Sequence, residues 1–216
     1  MKVLISALLS FAGSVLFAQT TELTFVFLNN KSDSEKISKE QSDKLMEGHM
    51  ANINRLASEG KLRAAGPFDG GGGMFVFNSN SIEQVREWIN TDPAVRANRW
   101  NVEILPYSPI IGSVCKVGEQ YEMVRYSFVR FTWGKEKLKP KKGWQVWRQH
   151  IDFWKGQPTS NPIITLATFA DDAGDVLVQP TTMDESILKK DPAIELGLMN
   201  YEKKILWVAK GSFCEK

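Results

Sequence analysis

The sequence predicts an α+β protein built from two ferredoxin-like (βαββαβ) units in tandem, and three observations carry that expectation. First, DPAVRANRWNVEILPYSPIIGSVC at 92–115 aligns without a gap with DPAIELGLMNYEKKILWVAKGSFC at 191–214. Asn101 meets Asn200, Glu103 meets Glu202, and Gly112, Ser113 and Cys115 meet Gly211, Ser212 and Cys214. Such an internal match marks a duplication. Second, the segments before it follow the same order in both halves. Third, the two histidines of the chain, His49 and His150, fall in matching slots.

The elements follow in order. LTFVFL at 23–28 is an apolar, branched and aromatic run that reads as a strand, and YSFVRF at 126–131 takes its place in the second half. A helix comes next. In the first half Ser38-x-x-Gln41 forms a capping box and Gly60 closes the helix. In the second half the helix spans 141–155, with Gly156 and Pro158 as stop signals. Two strands follow, 61–66 and 73–78, matched by 162–169 and 175–179. A short helix then starts at the box Ser81-x-x-Gln84 or Thr182-x-x-Glu185. It ends before Asp92-Pro93 or Asp191-Pro192, because the residue before proline avoids helical geometry. A final strand closes each unit. The order βαββαβ gives one antiparallel sheet with helices on one face, and two units cover their bare faces by packing sheet to sheet.

Composition sets the outer limits. Residues 1–18 read as an export signal: Lys2 is the basic head, 3–17 the apolar stretch, and Ala18 the cleavage point. The mature chain is then expected in a periplasm or outside the cell, with no membrane contact after cleavage. Removing Lys2 lowers the formal charge from +2 to about +1. That balance excludes a nucleic-acid partner held by counterion release. The basic run GKEKLKPKKG at 134–143 reads as a solvated loop. Domain boundaries are expected at 19–115 and 116–216. Two histidines and two cysteines, each pair about a hundred positions apart, give no zinc spacing. The stretch GPFDGGGGMFVF at 66–77 lacks the lysine and hydroxyl of a phosphate loop and runs into a strand, not a helix. It reads either as a mobile glycine-rich hairpin connection or as a flexible flap that holds Asp69 near a pocket.

The histidines are the candidate chemistry. His49 shares a helical stripe with Leu45, Ile53 and Leu56, and His150 with Trp147, Ile151 and Trp154. A histidine on such a face is commonly a core residue; two in matching slots with none elsewhere also fit a shared site. The run from His49 through GKLRAAGPFDGGGGMFVF, then 81–88, then DPAV, resembles the YCII-related (YciI-like) family. The resemblance covers about 22–107. It implies the dimeric α/β barrel, here made within one chain as a monomeric pseudo-dimer. The second copy carries His150, the 171–175 stretch and Asp191-Pro192 but has Thr168 and Phe169 in place of Gly-Pro, which marks a degenerate copy. The family is associated with a histidine–aspartate pair, and one branch eliminates chloride from a chlorinated ring compound. Carried over, the resemblance makes His49 the general acid or base, with Asp69 the first choice of partner and Asp92 the second. The family commonly has proline shortly before its histidine; here Glu47 and Gly48 stand there.

A histidine steadied by a carboxylate moves protons in isomerisation, elimination or hydrolysis, and needs no metal or nucleotide. The expected partner is a small cyclic or aromatic molecule, with no cofactor. The alternative is a non-catalytic protein that binds a small molecule in an apolar barrel cleft. Cys115 and Cys214 end equivalent strands. They form either a disulfide, as export favours, or two buried thiols.

Overall fold

The computed structural model describes residues 23–118, 120–134, 140–170 and 173–215, with the backbone alone at 140 and 141. The expected export signal, part of the basic run and Asp171 lie outside the described residues. The first half runs β1 (Leu23–Asn30), α1 (Lys39–Ser58), β2 (Leu62–Pro67), β3 (Gly73–Phe77), α2 (Ile82–Ile89), α3 (Pro93–Arg96) and β4 (Trp100–Ile111). The second runs β5 (Met123–Trp133), α4 (Pro140–Lys155), β6 (Thr165–Phe169), β7 (Asp175–Pro180), a 3-10 helix (Glu185–Lys190), α5 (Pro192–Glu195) and β8 (Met199–Ala209). Local signals explain the boundaries. Ser38 and Gln41 make the reciprocal capping box of α1, and Ser81 caps α2. Thr182 does not cap the second short helix. Asp184 does, through its bond to the Ser186 N–H, and the segment winds as a 3-10 helix.

Among the described residues eight strands join one antiparallel sheet in the order β2-β3-β1-β4-β6-β7-β5-β8. Each half contributes the same internal order. The halves therefore do not stack as separate sheets; they meet edge to edge at β4 and β6, and the sheet curls until β8 approaches β2. The result is a dimeric α+β barrel made by one chain, as the fold class predicts, with the two inner faces opposed across the interior.

The two seams differ, and the sequence difference between the halves explains it. At β4–β6 a ladder runs from Tyr107–Phe169 to Ile111–Leu166, with Ser108 opposite Thr168. At β8–β2 the chains touch through the Phe68–Leu206 bridge and the bond from the Asp69 N–H to the Ile205 carbonyl, 2.9 Å. Gly66 lies so close to β8 that a Cβ there would stand 2.0 Å from the Trp207 carbonyl oxygen. Pro67 has no N–H to offer a ladder. Gly-Pro thus makes a close, sparsely bonded closure, whereas Thr168 and Phe169 join a longer ladder, broken by a register shift between Pro109 and Ile111.

The barrel interior is filled. Phe25, Phe27, Phe68, Tyr107, Phe128 and Phe169, drawn from both halves, are at most 5% exposed and form one core. A cavity of about 10 Å³ lies among Phe27, Asn29, Phe128, Arg130, Glu202 and Lys204. Arg130 of β5 grips Glu103 of β4 with both Nη atoms, at 2.7 and 2.8 Å, and lies 4.3 Å over the Phe27 ring, tying the halves together. The helices cover the outer faces over a separate core in each half. Past the ends of β4 and β8, Cys115 and Cys214 are joined in a disulfide with Cα atoms 5.2 Å apart.

Candidate active site

The site of the first half grows from two helix termini. The Asp92-Pro93-Ala94-Val95 stretch sets an N-cap and a proline at the first helical position, so the chain re-enters a helix at once as α3. Asp92 Oδ1 accepts from the Ala94 and Val95 N–H groups at 2.9 and 3.2 Å. Its other oxygen points to α1. There His49 Nδ1 lies 2.7 Å from Asp92 Oδ2, and Asn52 Nδ2 adds a longer contact of 3.4 Å. Arg55 donates to Asn52 Oδ1 at 2.8 Å, which turns the amide nitrogen toward Asp92.

Gly48 makes this approach possible. A Cβ there would meet Pro93 Cγ at 2.7 Å. The Glu47-Gly48 pair ahead of His49 thus serves the geometry directly: the absent side chain lets α3 dock on α1 one residue before the imidazole.

Asp92 is fully buried and His49 is 7% exposed. Burial pushes the Asp92 carboxyl up, but the hydrogen bond and charge of His49, with the Val95 and Ala94 N–H groups, outweigh it and hold the carboxyl below its ordinary value. An ionised carboxylate only accepts, so the proton on His49 Nδ1 points at Asp92 and Nε2 is the nitrogen left for exchange. The ring lies 5.0 Å from half-buried Trp100 and 5.9 Å from Phe75.

Asp69, the first-choice partner, is engaged elsewhere. It pairs with Arg125 and accepts from Trp207 Nε1 at 2.7 Å, while Arg125 stacks 4.7 Å over the Trp207 ring. Asp69 fastens the barrel seam, and the structure brings Asp92, the second choice, to His49. Gly70, Gly71 and Gly72 all have left-handed φ, between 74° and 98°, and Asn30 Nδ2 holds the Gly70 carbonyl at 2.8 Å. The glycines form the turn that delivers Asp69 to β8. The signal that favours Asp92 is local: Asp before Pro-Ala-Val reads as an N-cap, which fixes one carboxylate oxygen and frees the other for a neighbour.

The second half repeats the pairing. His150 Nδ1 lies 2.6 Å from Asp191 Oδ2, and Asp191 caps α5 through the Ala193 N–H at 2.9 Å. Here Trp154 Nε1 takes the place of the Asn52 contact, at 2.6 Å. The imidazole is wholly buried, whereas 10% of the His49 side chain is exposed. Among the described residues no group of three or more His, Cys, Asp or Glu side chains is placed to hold a metal ion, and no helix is long and apolar enough to cross a membrane.

Comparison with known structures finds similar chains, and the likeness of fold rests on the first of them. An anthrone oxidase-like protein is 8% identical, with 88% of this chain and 92% of that chain covered and a TM-score of 0.52. A heme-binding protein from Thermus thermophilus is 10% identical, with 88% and 90% covered and a TM-score of 0.44. The siroheme decarboxylase NirDL is 8% identical, with 87% and 71% covered and a TM-score of 0.45. Identities this low speak to the fold alone. Comparison with curated protein sequences finds no match. Residues 23–108 match the model of the YCII-related domain, and that match supports kinship of the chain with the YciI-like family.

Proposed function

We propose that the first half is a proton-transfer catalyst for a small cyclic or aromatic compound, with His49 as general acid or base and Asp92 as its orienting partner. The reading rests on one observation above all. Asp92 is pinned by two backbone N–H groups and receives His49 Nδ1 at 2.7 Å, while the imidazole keeps an exposed edge that His150 lacks. In this arrangement Nε2 takes a proton from a substrate C–H or O–H, the carboxylate steadies the imidazolium, and the proton is returned to carbon or to a leaving group. No step calls for a cofactor. Asp69 serves the same half from the seam, by fixing the glycine turn. Under the same proposal the halves descend from a tandem duplication whose second site is degenerate. The chain is exported behind residues 1–18, and the disulfide suits the oxidising compartment that export implies.

Two measurements test this. Diethyl pyrocarbonate should acylate native protein at His49 and spare His150, as mapped by peptide mass spectrometry. Chloride release and solvent-deuterium incorporation are then followed with a panel of chlorinated and unsaturated cyclic lactones and ketones. The folded His49→Gln variant should lose about 10²–10⁴-fold in rate, and His150→Gln should retain it. A folded His49→Gln as active as the parent overturns the assignment.

A further inference from the structure

One cluster plays no part in this chemistry. His150 of α4, Asp175 at the start of β7 and Asp191 at the cap of α5 are all 0% exposed. On one side of the ring the account is complete. Asp191 accepts from His150 Nδ1, Trp154 Nε1 and the Ala193 N–H, so Nδ1 carries a proton. On the other side, His150 Nε2 stands 3.7 Å from Asp175 Oδ2, and neither atom makes a hydrogen bond of ordinary geometry; the Thr168 hydroxyl lies near enough to favour the Asp175 carboxylate, but donates to the Phe169 carbonyl at 3.3 Å. The second Asp175 oxygen accepts from Trp147 Nε1 at 3.3 Å.

The proton count at this gap has three possibilities. With no proton, two lone pairs face each other out of water. With two, an N–H faces an O–H, and each lacks an acceptor. With one, a donor meets an acceptor, and both buried groups are satisfied by a small closure of the gap. Leaving either unsatisfied costs about 1–3 kcal/mol, more when the group is charged. We propose that a single proton is trapped between His150 Nε2 and Asp175, making His150, Asp175 and Asp191 a sealed proton-storing lock that holds α4 to β7 and α5. Burial pushes the Asp175 carboxyl up, partly countered by His150, in keeping with a proton retained at this position. Phe131 of β5, 4.8 Å away between ring centres, Thr168 of β6 and the two tryptophans of α4 also pack here and are uncharged. Among the described residues the charged groups set against the imidazole are therefore the two carboxylates. The half whose histidine has no exposed edge is the one that sets a second acid against the ring.

The test uses the full, disulfide-bonded chain with nitrogen-15 in the histidine rings, in a His49→Gln background so that His150 alone reports. The ring-nitrogen shift should show Nε2 hydrogen-bonded. The proton at the gap should exchange with D2O at least about 10³-fold more slowly than an exposed amide, because exchange must await opening of the fold. Asp175→Leu should turn Nε2 into a free ring nitrogen while Nδ1 keeps its proton, and Asp175→Asn, whose amide donates, should restore a bond to Nε2. A wild-type Nε2 without a hydrogen bond, or a bond that survives Asp175→Leu, overturns the proposal. Exchange as fast as that of surface amides also overturns it, because a water would then fill the gap. Should Asp175→Leu fail to fold, the wild-type shift and exchange rate decide the matter by themselves.

Discussion

Replacing Asp92 separates the two roles that its carboxylate combines. In Asp92→Ala the cap on Ala94 and Val95 disappears, at a cost of about 0.5–2 kcal/mol. The buried Nδ1 of His49 loses its acceptor as well, at about 1–3 kcal/mol. The sum is roughly 1.5–5 kcal/mol, read as a shift in the urea midpoint at constant slope. Asp92→Asn is the more telling variant. Its Oδ1 keeps the cap, so the expected loss is about 1–3 kcal/mol, the worth of a charge-assisted bond. Its amide, however, presents N–H groups to Nδ1 and so drives the ring proton onto Nε2. The nitrogen meant to accept a proton is then blocked, and activity should fall by about 10²–10⁴-fold although the fold survives. Asp69→Asn is the control. Its pair with Arg125 is half exposed, with side-chain exposures of 44% and 51%, so the expected cost is about 0–1 kcal/mol. If Asp92→Asn lies within about 0.5 kcal/mol of the parent and matches Asp69→Asn in rate, the assignment of Asp92 is wrong.

Other outcomes follow from the same geometry. Reducing the disulfide frees a loop with a sequence separation of 99 residues; the chain-entropy model gives about 4.7 kcal/mol. For a chain of this size that corresponds to a fall in Tm of about 10–19 °C, checked by calorimetry with and without reductant; a loss under about 1 kcal/mol would contradict the bond's role. Gly66→Ala sets a Cβ 2.0 Å from the Trp207 carbonyl oxygen, so it should cost about 1–3 kcal/mol or more and shift Trp207 fluorescence as the seam opens. Asp92 also shapes the acid limb of stability. Its folded carboxyl lies below the ordinary value of 3.8, so its contribution is full above that value and is lost as pH falls through the folded one. Urea midpoints measured from about pH 5 to pH 2 should fall more steeply for the parent than for Asp92→Asn.

Much of the architecture was legible residue by residue because its causes are local. Alternating and branched apolar runs specify strands, Ser38 with Gln41 and Ser81 specify helix starts, and the gapless match of 92–115 with 191–214 specifies two like units. Each signal acts within a few residues, and the structure keeps nearly all of them; Thr182 yields its capping role to Asp184 two positions away. The histidine slots were legible for the same reason, since a helical stripe is a matter of three- and four-residue spacing.

What pairs with what across the fold was decided by tertiary packing. Asp69 follows the family's Gly-Pro and lies 20 positions from His49; Asp92 lies 43 away, yet Asp92 makes the bond. Nothing in the spacing ranks them. The choice depends on Gly48 admitting Pro93 and on Gly66 and the glycine turn carrying Asp69 to Arg125 and Trp207 instead. The junction of the two sheets at β4 and β6 is likewise a long-range pairing, and the filled interior follows from side chains of both halves meeting. The sequence by itself determined the elements, their repetition and the slot of each histidine, because those are set by short-range periodicity and capping. Only the tertiary structure decided the partner carboxylate, the difference between the seams and the sealing of His150, because these depend on close approaches between segments far apart in the chain.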